Sequence, residues 1–404
     1  MRVLRIITRL NIGGPAIHAA LLSTKLDPAR FSTCLVIGEP DSREGDVSGL
    51  VQGGVARLVR LKTLRRPIRP LADIRSFAQL LRLAWEERPH VIHTHMAKAG
   101  TLGRLAGLLY NRIGPGREPQ ARAVLVHTFH GHVLDGYFSP LASQFFITIE
   151  RWLARRTDCL IAVSPTIRDE LVKKGIGRDD QWRVVPLGFD LSRLAALALP
   201  QEASPVRVGI VGRLVPIKNP HLFLKALHRV VHEAPGNPVQ GVVVGDGPLR
   251  DALERETTRL GLDGVVRLTG WQQDLPAVYE GLEVACLTSW NEGTPAALIQ
   301  AMAAGRPVVA TDVGGVRDLL EDPDALRAPI TVGAFRLTGR GILVRPGDAE
   351  GLAAALRTVA RDADLRHRLG AAARAHVVQR FTQERLLAEI TALYDALSTG
   401  REQA

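Results

Sequence analysis

Short apolar runs alternate with longer amphipathic stretches along this chain, and the series occurs twice. In the first half, strands are expected at residues 2–7, 32–37, 91–94, 123–129 and 159–163, with helical periods between them, such as 70–87 and 140–157. The series restarts at 206–211 and continues at 241–244, 265–268, 284–288 and 307–310, with helices expected over 219–231, 248–260, 294–304 and 349–379. The strand runs are near-continuous and β-branched, the pattern of strands covered on both faces, which predicts parallel sheets flanked by helices. Two series predict an α/β chain of two Rossmann-like domains facing a cleft, and 404 residues suit two domains. Residues 191–205 carry no strand pattern and are read as the linker. The expected domains are therefore 1–195 and 205–380, followed by a terminal helix and tail over 381–404.

Composition narrows the classes. Hydrophobic residues make up 46% and charged residues 23%, which excludes a disordered chain. Cys34, Cys159 and Cys286 lie far apart with no CxxC pair, so no sequence-local zinc or iron–sulfur site is expected, and the usage fits a reducing cytoplasm. The N-terminus runs straight into a strand pattern without an apolar leader, and no apolar run reaches the roughly 18 residues of a membrane span, so neither a signal peptide nor a transmembrane helix is expected. The net charge is +11 and is unevenly placed: residues 1–200 hold 29 Lys/Arg against 17 Asp/Glu, the remainder 23 against 24. The densest stretch is Arg57, Arg60, Lys62, Arg65, Arg66 and Arg69, read as a Pro-punctuated loop. A solvated arginine-rich surface and a face for an anionic partner both explain it. No nucleic-acid module accompanies the charge, so a membrane surface or lipid phosphate is favoured and no nucleic-acid partner is expected.

Open parallel sheets bind ligands beyond the carboxyl ends of their strands. The glycine-rich and polar motifs follow strands. Asn11-Ile12-Gly13-Gly14-Pro15 ends the first strand and opens a helix, where glycines admit a close phosphate. Gly245-Asp246-Gly247-Pro248 is similar, although Arg250 stands where a dinucleotide fingerprint needs a third glycine. A tight turn and a ligand loop remain open for both. In residues 212–219, GRLVPIKN, Gly212 lets the strand end turn and Arg213 and Lys218 can converge on one diphosphate. In Asn291-Glu292-Gly293-Thr294-Pro295, Thr294 or Asn291 is expected to cap a helix with Pro295 at its first position, leaving amides for a phosphate. Glu292 either accepts sugar hydroxyls or complements the helix dipole. Gln300 lies eight residues on, near the same face.

Histidines cluster at two strand ends: His93 and His95, then His127, His130 and His132 in HTFHGH. Substrate contact ranks first, structural hydrogen bonding second and metal third, because no acidic or Cys partner stands at metal spacing beside them. No GxSxG elbow, P-loop or HExxH is present.

The run 290–320, WNEGTPAALIQAMAAGRPVVATDVGGVRDLL, resembles the nucleotide-binding signature of family 4 glycosyltransferases, the retaining group with the GT-B fold. GRLVPIKN resembles that family's diphosphate segment, HTFHGH and NIGGP its first-domain motifs, and FTQERLLAEITALYDAL the terminal helix that crosses back to the first domain. The resemblance implies that Arg213 and Lys218 hold the donor diphosphate, and that Gly13, Gly14, Gly212 and the amides of Gly293, Thr294 and Pro295 line the donor site. It implies that Glu292 binds hydroxyls of the transferred sugar and that His130 lies near the reacting centre. It also implies no metal or other cofactor, a nucleotide-sugar donor, most commonly a UDP-sugar, and a glycan or lipid-linked acceptor in surface-polysaccharide synthesis. The basic first half suits peripheral contact with an anionic membrane at its cytoplasmic face. Trp271 falls near the expected base site, where core packing explains it equally well. One departure stands out: the family places a second carboxylate on the ribose where this chain has Gln300, whose amide oxygen accepts a hydroxyl without the charge. A sugar-nucleotide epimerase and a non-catalytic glycosyltransferase-like binding protein are the alternatives.

Overall fold

The computed structural model describes residues 1–11, 13–39, 48–51, 57–131, 139–233, 239–322 and 328–399. Ile12 of the first glycine loop and His132 of the histidine run lie outside them. The chain divides into two compact units, Met1–Gly188 with Gln383–Ala404, and Phe189–Thr382.

The first unit holds a seven-stranded, all-parallel sheet of β1 (Arg2–Ile7), β2 (Ser32–Gly38), β3 (Arg57–Leu61), β4 (Val91–His95), β5 (Val124–Phe129), β6 (Cys159–Ala162) and β7 (Trp182–Val184), in the order β3-β2-β1-β4-β5-β6-β7. The inner strands are buried almost throughout, as their continuous apolar sequences require. The terminal helix Gln383–Thr399 belongs to this unit. Its buried stripe Leu386, Ile390 and Tyr394, spaced at four residues, packs on Val3, Val91, Val124 and Val126. Arg385 ties its start to the carbonyls of Pro186 and Leu187 at 2.7 and 2.8 Å.

The second unit repeats the plan with β8 (Val206–Val211), β9 (Val239–Val244), β10 (Val266–Gly270), β11 (Val284–Leu287), β12 (Val308–Thr311), β13 (Phe335–Leu337) and β14 (Ile342–Val344), in the order β10-β9-β8-β11-β12-β14-β13. Among the described strand pairs the β13–β14 pairing alone is antiparallel, besides the isolated antiparallel bridge Gly245–Gly270. In each sheet the chain leaves the middle in both directions, so a switch point lies between β1 and β4 in one and between β8 and β11 in the other. These are the positions where such sheets bind ligands.

Three details differ from expectation. Residues 57–69 are not all loop: Arg57–Leu61 is the edge strand β3, held through its backbone against β2, with Leu61 as its one buried residue. The apolar period 349–379 is two helices, Ala349–Arg361 and Ala363–Arg380. Between them Asp362 leaves helical geometry and its carboxylate caps the second helix, accepting from Leu365 N at 2.7 Å. Pro295 is the N-cap of the helix Ala296–Ala303 rather than its first residue, so neither Thr294 nor Asn291 occupies the cap position. The three cysteines are buried free thiols.

Candidate functional site

At the switch point of the second sheet, the loops leaving β8 and β11 are laced together. Gly212 turns the end of β8 with φ +152 and donates to Val244 O at 2.9 Å. A single turn, Pro216–Lys218, follows and is closed by Asn219 in the left-handed region, φ 46. Trp290 N donates to Ile217 O at 2.8 Å, and Thr288 Oγ1 to Lys218 O at 2.9 Å. These bonds bring Lys218 Nζ to 2.5 Å from Glu292 Oε1, which also accepts from Ser289 Oγ at 2.6 Å. The ammonium is the outer partner, its side chain 29% exposed against 9% for the carboxylate. An anionic ligand therefore meets the cation of this pair first. Arg213, partly buried, stands in the same loop.

Two neighbouring loops brace the pair. The Gly245 backbone, φ +132, packs so closely on Gly212 that a side chain there would overlap the Gly212 carbonyl, and Asp246 O accepts from Leu214 N at 2.9 Å. The 245–248 loop thus supports the 212–219 loop from beneath. Gly314, φ +47, lies against the Glu292 carbonyl in the same way, and Gly315 N donates to Gly293 O at 2.9 Å. Gln300 sits on the helix Ala296–Ala303, with Tyr279 OH 3.5 Å from its Oε1 and 2.9 Å from Ala297 O. Burial raises the Tyr279 phenol well above its ordinary value, so it stays a donor. Its single proton is directed to Ala297 O, so Gln300 is left with only the long contact. If position 300 meets the ribose of a nucleotide-sugar, as the resemblance implies, Gln300→Glu is expected to lower the KM for that substrate about tenfold, one charged hydrogen bond regained; steady-state kinetics checks it, and lost activity would contradict it. Trp271 follows the edge strand β10, two strands from β8, and is partly exposed.

In the first unit, Gly13 is the N-cap of the helix Gly14–Thr24, which starts with Gly14 buried and Pro15 in its first turn. The histidines sort by strand parity. His127 is on the face covered by the helix Ala97–Ile113, its Nδ1 2.8 Å from Thr94 Oγ1 and its ring beside Gly100, a structural arrangement. His93 and His95 are on the opposite face, with the terminal helix. His93 is bonded to Tyr394 OH at 2.6 Å and Thr128 Oγ1 at 2.7 Å. His95 Nδ1 lies 3.1 Å from His130 Nε2, just beyond β5. Packing adds His18 from the helix Gly14–Thr24, whose ring stands edge-on to both, with centroids 5.6 and 5.0 Å away. Sequence-local spacing misses His18 because the fold alone brings it near. Burial holds His18, His93 and His95 well below the ordinary imidazole value, reinforced by neighbouring positive charge, and pulls His130 down to about 3. In each case the uncharged ring is the favoured form.

The ligand atoms of His18, His95 and His130 lie within 4.8 Å of one another, a spacing that could hold a metal ion. The group contains no carboxylate, and the Arg5 guanidinium touches His95 Nε2 at 3.4 Å. A dication would sit beside a cation with only neutral ligands, which disfavours it electrostatically.

Comparison with known proteins identifies the family and the fold. Residues 205–362 match the family described as Glycosyl transferases group 1, and residues 13–188 match the Glycosyl transferase 4-like domain. The D-inositol 3-phosphate glycosyltransferase of Saccharomonospora viridis is 30% identical over 339 residues, 78% of this chain and 72% of the relative. The UDP-Gal:alpha-D-GlcNAc-diphosphoundecaprenol alpha-1,3-galactosyltransferase of Escherichia coli is 27% identical over 270 residues, 64% of this chain and 67% of the relative. The crystal structure of Anabaena Alr3699/HepE in complex with UDP and glucose superimposes with a TM-score of 0.75 at 23% identity, covering 98% of this chain and 100% of that one, which shows the shared fold. On the family matches and the 30% identity over most of its length, the chain belongs to the family 4 glycosyltransferases.

Proposed function

We propose that this glycosyltransferase moves a sugar from a UDP-sugar to a glycan or lipid-linked acceptor, without a metal and with retention of anomeric configuration. The observation that carries the reading is the Lys218–Glu292 pair at the switch point of the second sheet. The departing nucleoside diphosphate draws Lys218 off Glu292. The ammonium, with Arg213, then stabilises the charge developing on the leaving phosphate, while the released carboxylate accepts hydroxyls of the transferred sugar. The E. coli relative's name supports a UDP-linked donor and a polyprenyl-diphosphate acceptor. Incubated in EDTA with UDP-, GDP- and ADP-sugars and vesicles bearing a polyprenyl-diphosphate-linked sugar, the chain is expected to release UDP only when acceptor is present. Release without acceptor, or strict dependence on added divalent metal, would count against the proposal.

The same reading places the enzyme at the inner face of an anionic membrane. No helix among the described residues is long and apolar enough to cross one. The supporting surface is the turn before the helix Pro70–Glu87 and that helix's first turns. Arg57 is paired with Glu87, but Lys62, Arg65, Arg66, Arg69 and Arg75 are exposed around Ile68, Leu71 and Ile74, themselves 63%, 78% and 64% exposed. The nearby acid, Asp73, is taken by Lys98 at 2.7 Å. Replacing Arg65, Arg66 and Arg69 with Gln should weaken binding to anionic vesicles about 100-fold, at roughly 1 kcal/mol per charge. Sedimentation with anionic and neutral vesicles measures this, and unchanged partitioning would remove the membrane from the account.

A further inference from the structure

Beyond the Lys218–Glu292 pair, the carboxyl edge of the second sheet continues into an open cleft at the ends of β12 and β14. Its volume is about 490 Å³, within the range of small-molecule sites. Asp312, Arg317 and Arg345 supply its polar groups, and Pro329, Ile330 and Pro346 its apolar ones. The walls are braced. Asp312 N donates to Val344 O at 2.8 Å, tying the ends of the two strands together. Pro329 and Ile330 come from the connection that forms β13, the strand that breaks the parallel plan. That connection is pinned by Arg336, which reaches Glu321 at 2.6 Å, and by Arg340, which donates to Leu319 O at 2.9 Å. Arg317 closes a fork on Asp312: Nε donates to Oδ1 at 2.8 Å and Nη2 to Oδ2. A second carboxylate, Glu321, stands 3.7 Å from Nε. The side chains of the fork stay 24% and 10% exposed. Arg345 is exposed and has no ion pair among the described residues. Gly347, next after Pro346, lies against Trp290: a Cβ there would come within 2.5 Å of Cη2. The indole is thus seated on the same loop, yet 51% exposed.

We propose that this cleft is a glycan subsite that takes one carboxylate-bearing pyranose of the acceptor. The inference rests on the reading that the acceptor carries a glycan. Each group in the cleft has a counterpart on such a ring. The fork uses one lone pair of each Asp312 oxygen and leaves Arg317 Nη1 outside it. A donor and an acceptor therefore stand side by side, which is what two adjacent hydroxyls require. Because the fork is already closed and held, little side-chain freedom is lost on binding. Trp290 offers an apolar ring surface to the C–H face of the sugar. Arg345 is left for the carboxylate. The charge balance selects against phosphate ligands. Asp312 offsets Arg317, so the excess charge of the lining residues is the single one of Arg345. A diphosphate would carry more charge than that and would face Asp312, whereas a monoanionic sugar matches it. Two backbone contacts set the cleft beside the donor pair without merging the two. Gly314 packs on the Glu292 carbonyl and Gly315 N donates to Gly293 O at 2.9 Å, so the turn 313–315 stands between Asp312 and Glu292.

Full-length protein labelled with 5-fluorotryptophan reports on the cleft through Trp290, whose fluorine signal is assigned by its loss in Trp290→Phe. The probes are the methyl glycosides of glucuronic, galacturonic and mannuronic acid, each against its neutral hexoside. At least one uronide should move the Trp290 signal, saturating with a dissociation constant on the order of 1 mM. Its neutral counterpart should bind about tenfold more weakly, one charged hydrogen bond fewer. Arg345→Gln should weaken the uronide about tenfold and leave the hexoside unchanged. Arg345 is exposed, so its replacement should leave the melting midpoint in place. Asp312→Asn should weaken both sugars, and should it not fold, Arg345→Gln still decides. In saturating UDP the uronide constant should be the same. Loss of the shift in UDP would make the cleft part of the donor site. Equal affinity for uronide and hexoside, or an Arg345→Gln titration like the parent's, would remove the carboxylate. No movement with any glycoside well above the expected constant would remove the subsite. Each of these three results overturns the proposal. UDP binding is read separately by melting, so a chain that binds UDP but no glycoside refutes the subsite alone. One that binds the uronide but no nucleotide refutes the donor site alone.

Discussion

Lys218→Ala should lower kcat/KM by about 1,000-fold, the upper part of the range seen when one preorganised electrostatic donor is removed from a site. Two effects act together. The leaving diphosphate loses a cation held at the carboxyl edge of the second sheet. In addition, Glu292, only 9% exposed, loses its counter-ion and keeps Ser289 as its remaining hydrogen-bond donor. An unpaired carboxylate then faces an anionic donor, so binding as well as turnover should suffer. Glu292→Gln separates the two. It removes the charge that competes for Lys218, so UDP alone should bind at least as tightly as in the parent. Transfer should fall, because an amide replaces the carboxylate proposed to accept the sugar hydroxyls. Calorimetry with UDP and steady-state kinetics distinguish these outcomes. If Glu292→Gln loses UDP binding as fully as Lys218→Ala, the carboxylate holds the nucleotide and the division of roles is wrong.

Gly314→Ala should damage stability and activity at once. The backbone there is left-handed, φ +47, and an added Cβ would overlap the Glu292 carbonyl oxygen, a backbone atom that cannot rotate away. The conformational cost and the forced displacement together come to about 3 kcal/mol. For a unit the size of Phe189–Thr382, that lowers its melting midpoint by about 6–12 °C. The displaced segment carries Glu292, so activity should drop even well below the melting point. Gly339→Ala is the control, since a Cβ there meets nothing. Equal melting and equal rates for the two variants would show that the Gly314–Glu292 contact does not hold the site.

The strand–helix series was readable because buried parallel strands have a plain signature: β1, β2, β5, β8 and β11 are short and mostly apolar, and β4 opens on Val-Ile. The helix Pro70–Glu87 was readable to the residue. What escaped were the basic edge strand β3 and the three shortest strands. In β3, RLVRL, two arginines occupy a strand that needs only backbone pairing on one side. β7, β13 and β14 have three residues each, too few to show a period. At the site, the sequence marks the residues but not their partners. Lys218 and Glu292 are 74 positions apart and meet because β8 and β11 are neighbours across the switch point. His127 and His130 look alike in HTFHGH, yet their spacing is odd and puts them on opposite faces. Arg5 reads as one of two arginines, with Arg2, in an otherwise apolar strand. Its meaning depends on His93, its register partner on β4, and on a tyrosine 389 residues away.

The central claim is a nucleoside-diphosphate site built on Lys218. Melting curves of the parent chain and Lys218→Ala with UDP, GDP and ADP, each with and without EDTA, test it most directly. At 100 times its dissociation constant a ligand stabilises by about 2.7 kcal/mol, well within what such curves resolve. The account predicts a selective shift with UDP, unaltered by EDTA and absent from Lys218→Ala. No shift with any nucleotide, or the same shift in Lys218→Ala, would contradict it.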